Sequence, residues 1–366
     1  MDSRLEVYLN NDKCYDIVIE DSFARLREEL LKLYDTKRKL CVITDSNVSG
    51  LYAEEVKKDL LGSFETVKTF VFQAGEESKN LETVSDAYRF LIENGFNRRD
   101  VIIALGGGVT GDLSGFTAAT YMRGIDFVQI PTTLLSMADS SIGGKTGVDF
   151  NAYKNMVGAF YMPKLVYINI STLSSLDARQ FSSGMAEVLK AGLIKNGAFY
   201  EWLINNFNPI TEREPDFLRK MIYESVRIKR DVVSQDPYEK GERALLNFGH
   251  TLGHAIEKFY DLRLSHGECV ALGSCAAAFI SYKRGLIEME DYYEIRDMFV
   301  PFGLPISAEG MDKEKIAALT ASDKKNDEAG LKFILLKGIG NAVIVRDVSV
   351  DEMLLALSEL EYDDEK

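Results

Sequence analysis

The chain has 366 residues, of which 46% are hydrophobic and 27% charged, a balance typical of a globular protein with ample core. Its net charge of −14 argues against a nucleic-acid partner, because proteins that bind nucleic acids usually present a basic face. No apolar run reaches the roughly 20 residues that cross a bilayer, and the N-terminus has no signal-peptide core, so we expect no membrane association and a cytoplasmic location.

The first half of the sequence alternates strand-like and helix-like segments, which predicts a largely parallel, Rossmann-like sheet covered by helices. The predicted strands are 5–9, 15–19, 39–44, 66–72, 101–105, 127–130 and 165–170, and the predicted helices are 23–34, 52–61, 81–94 and 113–122. After Leu176 the alternation stops, and we predict helices at 178–194, 217–233, 246–260, 270–284, 292–299 and from 351, with a hairpin at 333–345. The sequence therefore predicts an α/β domain over residues 1–176 and an all-α domain over residues 177–366.

A glycine-rich turn follows strand 101–105, where Gly106, Gly108 and Gly111 satisfy the pattern GxGxxG. Glycine lets the backbone approach a pyrophosphate, and the amides of a helix N-terminus favour an anion. A tight turn without a ligand is the alternative, but the strand and helix around the motif favour a nucleotide site. The segment DSSIGGKTG does not form a P-loop, because Asp139 stands where that motif needs glycine, and we expect a polar loop that binds an anion through Lys145.

All the histidines of the chain lie close together, at His250, His254 and His266. The first two are one turn apart on a predicted helix, so two or three imidazoles can converge on one point. Imidazole suits zinc and similar ions. Isolated helix-surface or core histidines are the alternative, and the clustering favours a metal or catalytic site. The HExxH motif of zinc proteases is absent, since no glutamate lies between His250 and His254.

Glu187 is the candidate for a further, carboxylate ligand. It shares a predicted helix face with Lys190, and a surface ion pair is the alternative interpretation. Several cations stand in polar or glycine-containing segments and, together with Asn155 and Asn247, predict a small substrate with more than one anionic group: Arg123, Lys145, Lys154, Lys229, Arg243 and Lys325.

Several motifs resemble those of the 3-dehydroquinate synthase family. They are TDSNV at Thr44, GEESKN at Gly75, GGGVTGDLSGFTAATYMRG at Gly106, PTTLLSMADSSIGGKTGVD at Pro131, KNMVGAF at Lys154, GMAEVLKAGLIK at Gly184, LLNFGHTLGHAIE at Leu245, HGE at His266 and DKKN at Asp323. The resemblance implies an NAD-binding α/β domain, a helical metal- and substrate-binding domain, an active site in the cleft between them and a homodimer.

The same resemblance implies a role for each candidate residue. Glu187, His250 and His266 would bind Zn²⁺ or Co²⁺, and His254 would lie beside the substrate phosphate. NAD⁺ would contact Asp45, Asn47, Glu76, Lys79, Gly107, Gly108, Val109, Asp112, Thr132, Thr133 and Lys154. The sugar phosphate would contact Asp139, Lys145, Asn155, Lys190, Lys229, Arg243, Asn247 and Lys325, the last chosen over the adjacent Lys324, with Arg123 reaching across from the partner subunit.

The implied reaction is a phosphate elimination and ring closure that turns 3-deoxy-D-arabino-heptulosonate 7-phosphate into 3-dehydroquinate, a step toward chorismate and the aromatic amino acids. Bound NAD⁺ would be reduced and reoxidised within each turnover. The alternatives are another sugar-phosphate cyclase, a metal-dependent glycerol-type dehydrogenase, which would release reduced cofactor, and a non-catalytic sugar-phosphate-binding regulator.

Overall fold

The computed structural model describes residues 3–151, 153–261, 263–320 and 331–362 and folds the chain into two compact units. The first unit contains Met1–Leu176 and Lys229–Tyr238, and the second contains Asp177–Ile228 and Glu239–Lys366. A mostly parallel sheet with helices is followed by a helical region, so the predicted fold class is confirmed. The predicted domains were contiguous, whereas the structure groups Lys229–Tyr238 with the first unit; the functions assigned to the two domains remain predictions.

The first unit is built on a seven-stranded sheet in the order β1-β2-β9-β6-β5-β3-β4. Its first two strands are antiparallel, and the other neighbouring strands are parallel. The strands of this unit are β1 Arg4–Leu9, β2 Asp12–Glu20, β3 Lys39–Asp45, β4 Thr66–Phe72, β5 Val101–Gly106, β6 Asp126–Pro131, β7 Lys145–Phe150, β8 Tyr153–Phe160 and β9 Leu165–Asn169.

Helices cover both faces of the sheet, which explains why its central strands are continuous apolar runs. The helices are α1 Leu26–Leu33, α2 Ser46–Val48, α3 Glu54–Leu61, α4 Leu81–Glu93 and α5 Gly108–Thr120. Because side chains alternate along a strand, Leu40 and Val42 of β3 join a core with α1 and α3, whereas Cys41 and Ile43 join a core with α4 and α5.

The strand order creates a crevice at one end of this sheet. The chain passes from β3 to β4 on one side and then crosses back to β5 on the other side of β3, so the direction of strand order reverses between β3 and β5. In open α/β sheets, ligands bind at such a point, beyond the carboxyl ends of the strands. β3 ends at Asp45 and β5 ends at Gly106, so the fold brings two of the predicted nucleotide-binding segments to that edge.

Two local predictions in the first unit were wrong. The segment after Gly144 is not a loop, because Lys145 begins β7, which pairs with β8 as an antiparallel hairpin. The sequence did not indicate this hairpin, because β8 begins with polar residues and most of its side chains are exposed, so it lacks a hydrophobic strand pattern. Helix α5 begins at Gly108, not at the predicted Leu113, because tertiary packing overrides the low helix propensity of glycine.

The second unit is mainly helical. Its helices are α6 Ala178–Lys195, α7 Gly197–Asn205, α8 Phe207–Thr211, α9 Pro215–Gln235, α10 His250–Tyr260, α11 His266–Lys283, α12 Met289–Asp297, α13 Lys313–Thr320 and α14 Val350–Glu359. The last part of α9 belongs to the first unit. The strands β10 Phe333–Leu336 and β11 Ala342–Val345 form the predicted hairpin within this helical region. None of the described helices combines the length and the apolar character needed to span a membrane.

Candidate active site

Three side chains from three helices of the second unit converge on one point. Glu187 lies on α6, His250 on α10 and His266 on α11. The Oε1 atom of Glu187 is 3.4 Å from Nε2 of His250 and 3.2 Å from Nε2 of His266. Bonds of 2.0–2.1 Å in a tetrahedral zinc site place neighbouring ligand atoms roughly 3.3 Å apart. The spacing and the donor set therefore fit a divalent ion such as zinc.

Both histidines occupy the first position of their helix. Gly249, with φ of 77°, precedes His250, and Ser265 caps the helix that begins at His266. Helix α10 was predicted to begin at Leu246, and His266 was predicted to precede its helix, so both predictions were wrong. The capping box formed by Ser265 and Glu268 was a usable signal, because serine followed three residues later by glutamate marks a helix start.

Close packing between helices sets the distances among Glu187, His250 and His266. A Cβ atom on Gly267 would lie 2.3 Å from Cα of Ser183 on α6. A Cβ atom on Gly273 would lie 1.9 Å from the carbonyl oxygen of Gly249. Only glycine fits at these two contacts, and the resulting close approach of α11 to α6 and α10 brings His266 to Glu187.

Charge around the site favours an ionised Glu187. This carboxylate is buried and forms an ion pair with the buried ammonium of Lys190, which confirms the shared helix face. Burial would raise the pKa of Glu187, but the charge of Lys190 and the contacts with the two imidazoles hold it well below its usual range. Burial and the charge of Lys190 lower the pKa of His250, which favours the neutral imidazole that metals bind.

A second group of possible ligands shares His266. The ligand atoms of His254, Glu257 and His266 lie within 4.8 Å of one another. Burial would lower the pKa of His266, but its contacts with Glu187 and Glu257 raise it to about 9. His254 is exposed at the surface of this unit, and its ring centroid lies 5.1 Å from that of His250. Sequence reasoning did not identify Glu257, although it shares a helix face with His254.

The other predicted substrate residues of the second unit lie next to the ligands in sequence. Arg243 is buried in a short 3-10 helix that ends at Asn247. The Nδ2 atom of Asn247 donates a hydrogen bond of 2.6 Å to Oε1 of Glu239, an interaction that sequence reasoning missed. Lys325 and the neighbouring Lys324 lie outside the described residues.

In the first unit, the predicted nucleotide residues meet at the crevice between β3 and β5. Oδ1 of Asp45 accepts hydrogen bonds from the amides of Asn47 and Val48, and its Oδ2 accepts one of 3.2 Å from Thr110 on α5. Gly107 caps α5, and Gly108 and Val109 form its first turn. The amide of Thr132 donates to the carbonyl of Gly106, and Thr133 follows it. The backbone amides in the first turn of α5 suit the pyrophosphate of a dinucleotide, and the carboxylate of Asp45 suits its ribose.

A polar cluster surrounds Lys79 in the same unit. Its Nζ lies 2.7 Å from Oδ2 of Asp112, donates a 2.6 Å hydrogen bond to Oδ1 of Asn155 and lies 3.9 Å from Oε1 of Glu76. Burial would lower the pKa of Lys79, but Asp112 and Glu76 raise it. The structure thus brings predicted cofactor residues and one predicted substrate residue together. Asp149, which accepts a hydrogen bond of 2.8 Å from the amide of Asn155, was missed.

The remaining predicted site residues of the first unit are cationic side chains that differ in exposure and in their partners. Lys229 forms an ion pair with Asp139, which lies 90 residues earlier in the chain. Lys145 and Lys154 are exposed on β7 and β8. Arg123 is also exposed, and its backbone is left-handed, with φ of 67° after a φ of 51° at Met122.

Comparisons with known proteins agree with these observations. Residues 69–183 match the family model described as 3-dehydroquinate synthase N-terminal, and residues 184–326 match the one described as 3-dehydroquinate synthase C-terminal. A 3-dehydroquinate synthase of Prochlorococcus marinus (strain AS9601) is 43% identical over 342 residues, which are 92% of this chain and 94% of the relative.

Two solved cyclases share the fold at lower identity. A 2-epi-5-epi-valiolone synthase from Streptomyces hygroscopicus subsp. jinggangensis 5008, solved with NAD⁺ and Zn²⁺, is 28% identical with a TM-score of 0.88 and covers 97% of this chain and 99% of its own. A 2-deoxy-scyllo-inosose synthase complexed with carbaglucose-6-phosphate, NAD⁺ and Co²⁺ is 28% identical with a TM-score of 0.85, over 98% of this chain and 99% of its own. The matches to both family models and the extent of the sequence identity show that this chain belongs to the 3-dehydroquinate synthase family.

Proposed function

We propose that this protein converts 3-deoxy-D-arabino-heptulosonate 7-phosphate into 3-dehydroquinate and phosphate, as a carbon–oxygen lyase of the shikimate pathway. The observation that carries the proposal is the convergence of Glu187, His250 and His266 at the spacing of a tetrahedral metal site. Its support is the membership of the chain in a family named for this reaction.

Two cofactors belong to the proposal, NAD⁺ and a zinc or cobalt ion. Glu187, His250 and His266 would hold the ion, which when bound polarises substrate oxygens and stabilises negative charge on them. The Asp45 carboxylate, the first turn of α5 and the cluster around Lys79 would hold NAD⁺, which would supply reversible hydride transfer.

The side chains of the protein would bind and orient the anionic substrate. Lys190 is buried beside Glu187, so its charge acts where solvent screens it weakly. Asp139 orients the ammonium of Lys229, and Glu239 orients the carboxamide of Asn247. The imidazole of His254 would hold the leaving phosphate, with the other proposed substrate contacts at Lys145, Asn155, Arg243 and Lys325.

We also propose that the protein acts in the cytoplasm as a homodimer, with Arg123 serving the active site of the partner subunit. Two successive non-glycine residues with left-handed backbone, Met122 and Arg123, support this role. Such conformations cost about 1–3 kcal/mol each and are retained where function requires a particular direction of the side chain.

The test is phosphate release from the heptulosonate phosphate, measured with and without a metal chelator. We expect release that the chelator abolishes and that added zinc or cobalt restores. NADH absorbance should show no net change during turnover, because the cofactor ends in its starting oxidation state. Release that is insensitive to chelation would contradict the proposal.

The alternative is another sugar-phosphate cyclase, and the similarity to two solved cyclases is the observation in its favour. A sugar 6-phosphate without a carboxylate is the control substrate that separates the two functions. We expect it not to be turned over. Faster turnover of the control substrate than of the heptulosonate phosphate would favour the alternative, and accumulation of NADH would favour a glycerol-type dehydrogenase.

A further inference from the structure

The two histidines of the metal centre have an oxygen atom near each ring nitrogen. Nε2 of His250 and Nε2 of His266 both face Oε1 of Glu187. Nδ1 of His250 lies 3.0 Å from the carbonyl oxygen of Phe248, and Nδ1 of His266 lies 3.8 Å from Oε2 of Glu257. A neutral imidazole carries one proton, and an oxygen acceptor at Nδ1 keeps the proton there and leaves the lone pair of Nε2 for a metal.

We propose that Glu257 is a positioning residue of the metal centre, whose carboxylate holds the proton of His266 on Nδ1 and thereby presents Nε2 to the ion. The inference rests on the proposed function, which makes His266 a ligand. The separation of 3.8 Å is longer than a hydrogen bond, and we expect it to shorten when the bound ion fixes the ring of His266, as contacts in active sites do when their ligands bind.

The position of Glu257 in the fold favours this role. It lies on α10, two turns after His250, so one helix supplies both a ligand and the group that orients a second ligand on α11. Only 11% of its side chain is exposed. Its negative charge is therefore weakly screened and interacts strongly with a protonated Nδ1.

The proximity of His254, Glu257 and His266 could instead indicate a second metal site. Such a site would need the Nδ1 lone pair of His266 while Nε2 serves the first site. The neutral imidazole would then have to lose its one N–H proton and become an imidazolate, whereas a neutral imidazole that binds a single metal ion keeps that proton. The arrangement therefore favours a hydrogen-bond acceptor for His266 over a second ion.

The first test compares the zinc affinity of the full-length wild type with that of Glu257→Ala and Glu257→Gln, by competition with a chromophoric chelator. Loss of such an outer partner typically weakens metal affinity by about 10–100-fold, and we expect this for Glu257→Ala at an unchanged stoichiometry of one zinc per chain. The loss should be smaller in Glu257→Gln, because the amide oxygen still accepts a hydrogen bond. Glu201→Gln, an exposed residue on α7, is the matched control and should bind zinc as wild type does.

A spectroscopic measurement separates positioning from a merely structural role. The visible absorption of the cobalt-loaded protein should differ between Glu257→Ala and wild type, because the ligand ring changes orientation. A lower thermal stability of Glu257→Ala with unchanged zinc affinity and an unchanged cobalt spectrum would overturn the inference.

A measurement on wild type keeps the inference testable if the variants fold poorly. With ¹⁵N-labelled histidine, the zinc-loaded protein should show a protonated Nδ1 for His266; a protonated Nε2 would overturn the inference. Loss of a second zinc equivalent in Glu257→Ala would overturn it in favour of the second site. Failure of wild type to bind zinc at all would overturn the proposed function itself, whereas equal binding by wild type and Glu257→Ala would overturn only the role of Glu257.

Discussion

His250 and His254 are one helical turn apart, yet their side chains have different surroundings. His250 is mostly buried and faces Glu187, whereas His254 is exposed. The spacing of four residues predicts a common face but not which ring reaches the carboxylate. That difference predicts separable roles for the two histidines.

Alanine substitutions should separate metal binding from turnover. We expect His250→Ala to lose its zinc, because two ligands hold an ion far less tightly than three. His254→Ala should keep a full zinc content while its kcat falls about 10²-fold, the typical cost of removing one donor to a developing negative charge. Metal analysis and phosphate release measure the two effects. Equal zinc content in wild type and His250→Ala would overturn the ligand assignment.

Much of the candidate site could be predicted at the level of residue type. The clustering of the histidines and the shared face of Glu187 and Lys190 were visible in the sequence, and the structure brings these side chains together. The groups that we propose orient the imidazoles could not be predicted. The carbonyl of Phe248 and the carboxylate of Glu257 come close to His250 and His266 only in the folded chain.

At the scale of elements, helix packing controls the geometry of the proposed metal centre. Helix α11 lies against α6 at Gly267, the residue directly after His266. Any side chain at this position must push the two helices apart, because its Cβ would overlap the backbone of Ser183. The proposed metal ligands would then separate as well.

Gly267→Ala should therefore weaken zinc binding as well as stability. Overpacking of a tight contact costs about 1–3 kcal/mol, and we expect a lower unfolding midpoint in urea together with a lower zinc affinity. Gly50→Ala is the control, because a Cβ there meets no atom within 4 Å. Zinc affinity of Gly267→Ala equal to that of wild type would show that this contact does not set the ligand spacing.

Element types were predictable where the hydrophobic pattern was strong, and element ends were not. The buried runs of β3 and β5 follow the predicted bounds closely. The β7–β8 hairpin was missed because exposed polar residues begin β8 and only pairing with β7 makes it a strand. Helix starts at His250 and His266 depend on the left-handed Gly249 and on the Ser265 cap, which are local features that periodicity does not report.

At the scale of the whole molecule, the proposed metal ligands belong to one compact unit, and the proposed NAD⁺ contacts belong to the other. The alternation of strands and helices predicted the architecture of the first unit. The return of α9 to that unit was not predictable, because an amphipathic helix pattern does not reveal which partner each of its turns will meet.

Removal of the ion should lower the stability of the second unit. The single tryptophan, Trp202, stacks between Phe199 and Phe217 in that unit, so its fluorescence reports local unfolding. A ligand at 100 times its Kd stabilises by about 2.7 kcal/mol, which corresponds to about 5–10 °C for a unit of this size. We expect a chelator to lower the unfolding temperature reported by Trp202 fluorescence by that amount in wild type. The same chelator should leave the unfolding temperature of His250→Ala unchanged. A transition that does not respond to the chelator in wild type would contradict the assignment.

The ion pair between Lys190 and Glu187 affects the stability of the protein without its proposed metal ion. A buried carboxylate without any counter-charge would be strongly destabilising, but here a cation from the same helix stays in contact with it. We therefore expect the metal-free protein to stay folded in a cell that is short of zinc. It would regain activity when the supply returns, without new synthesis.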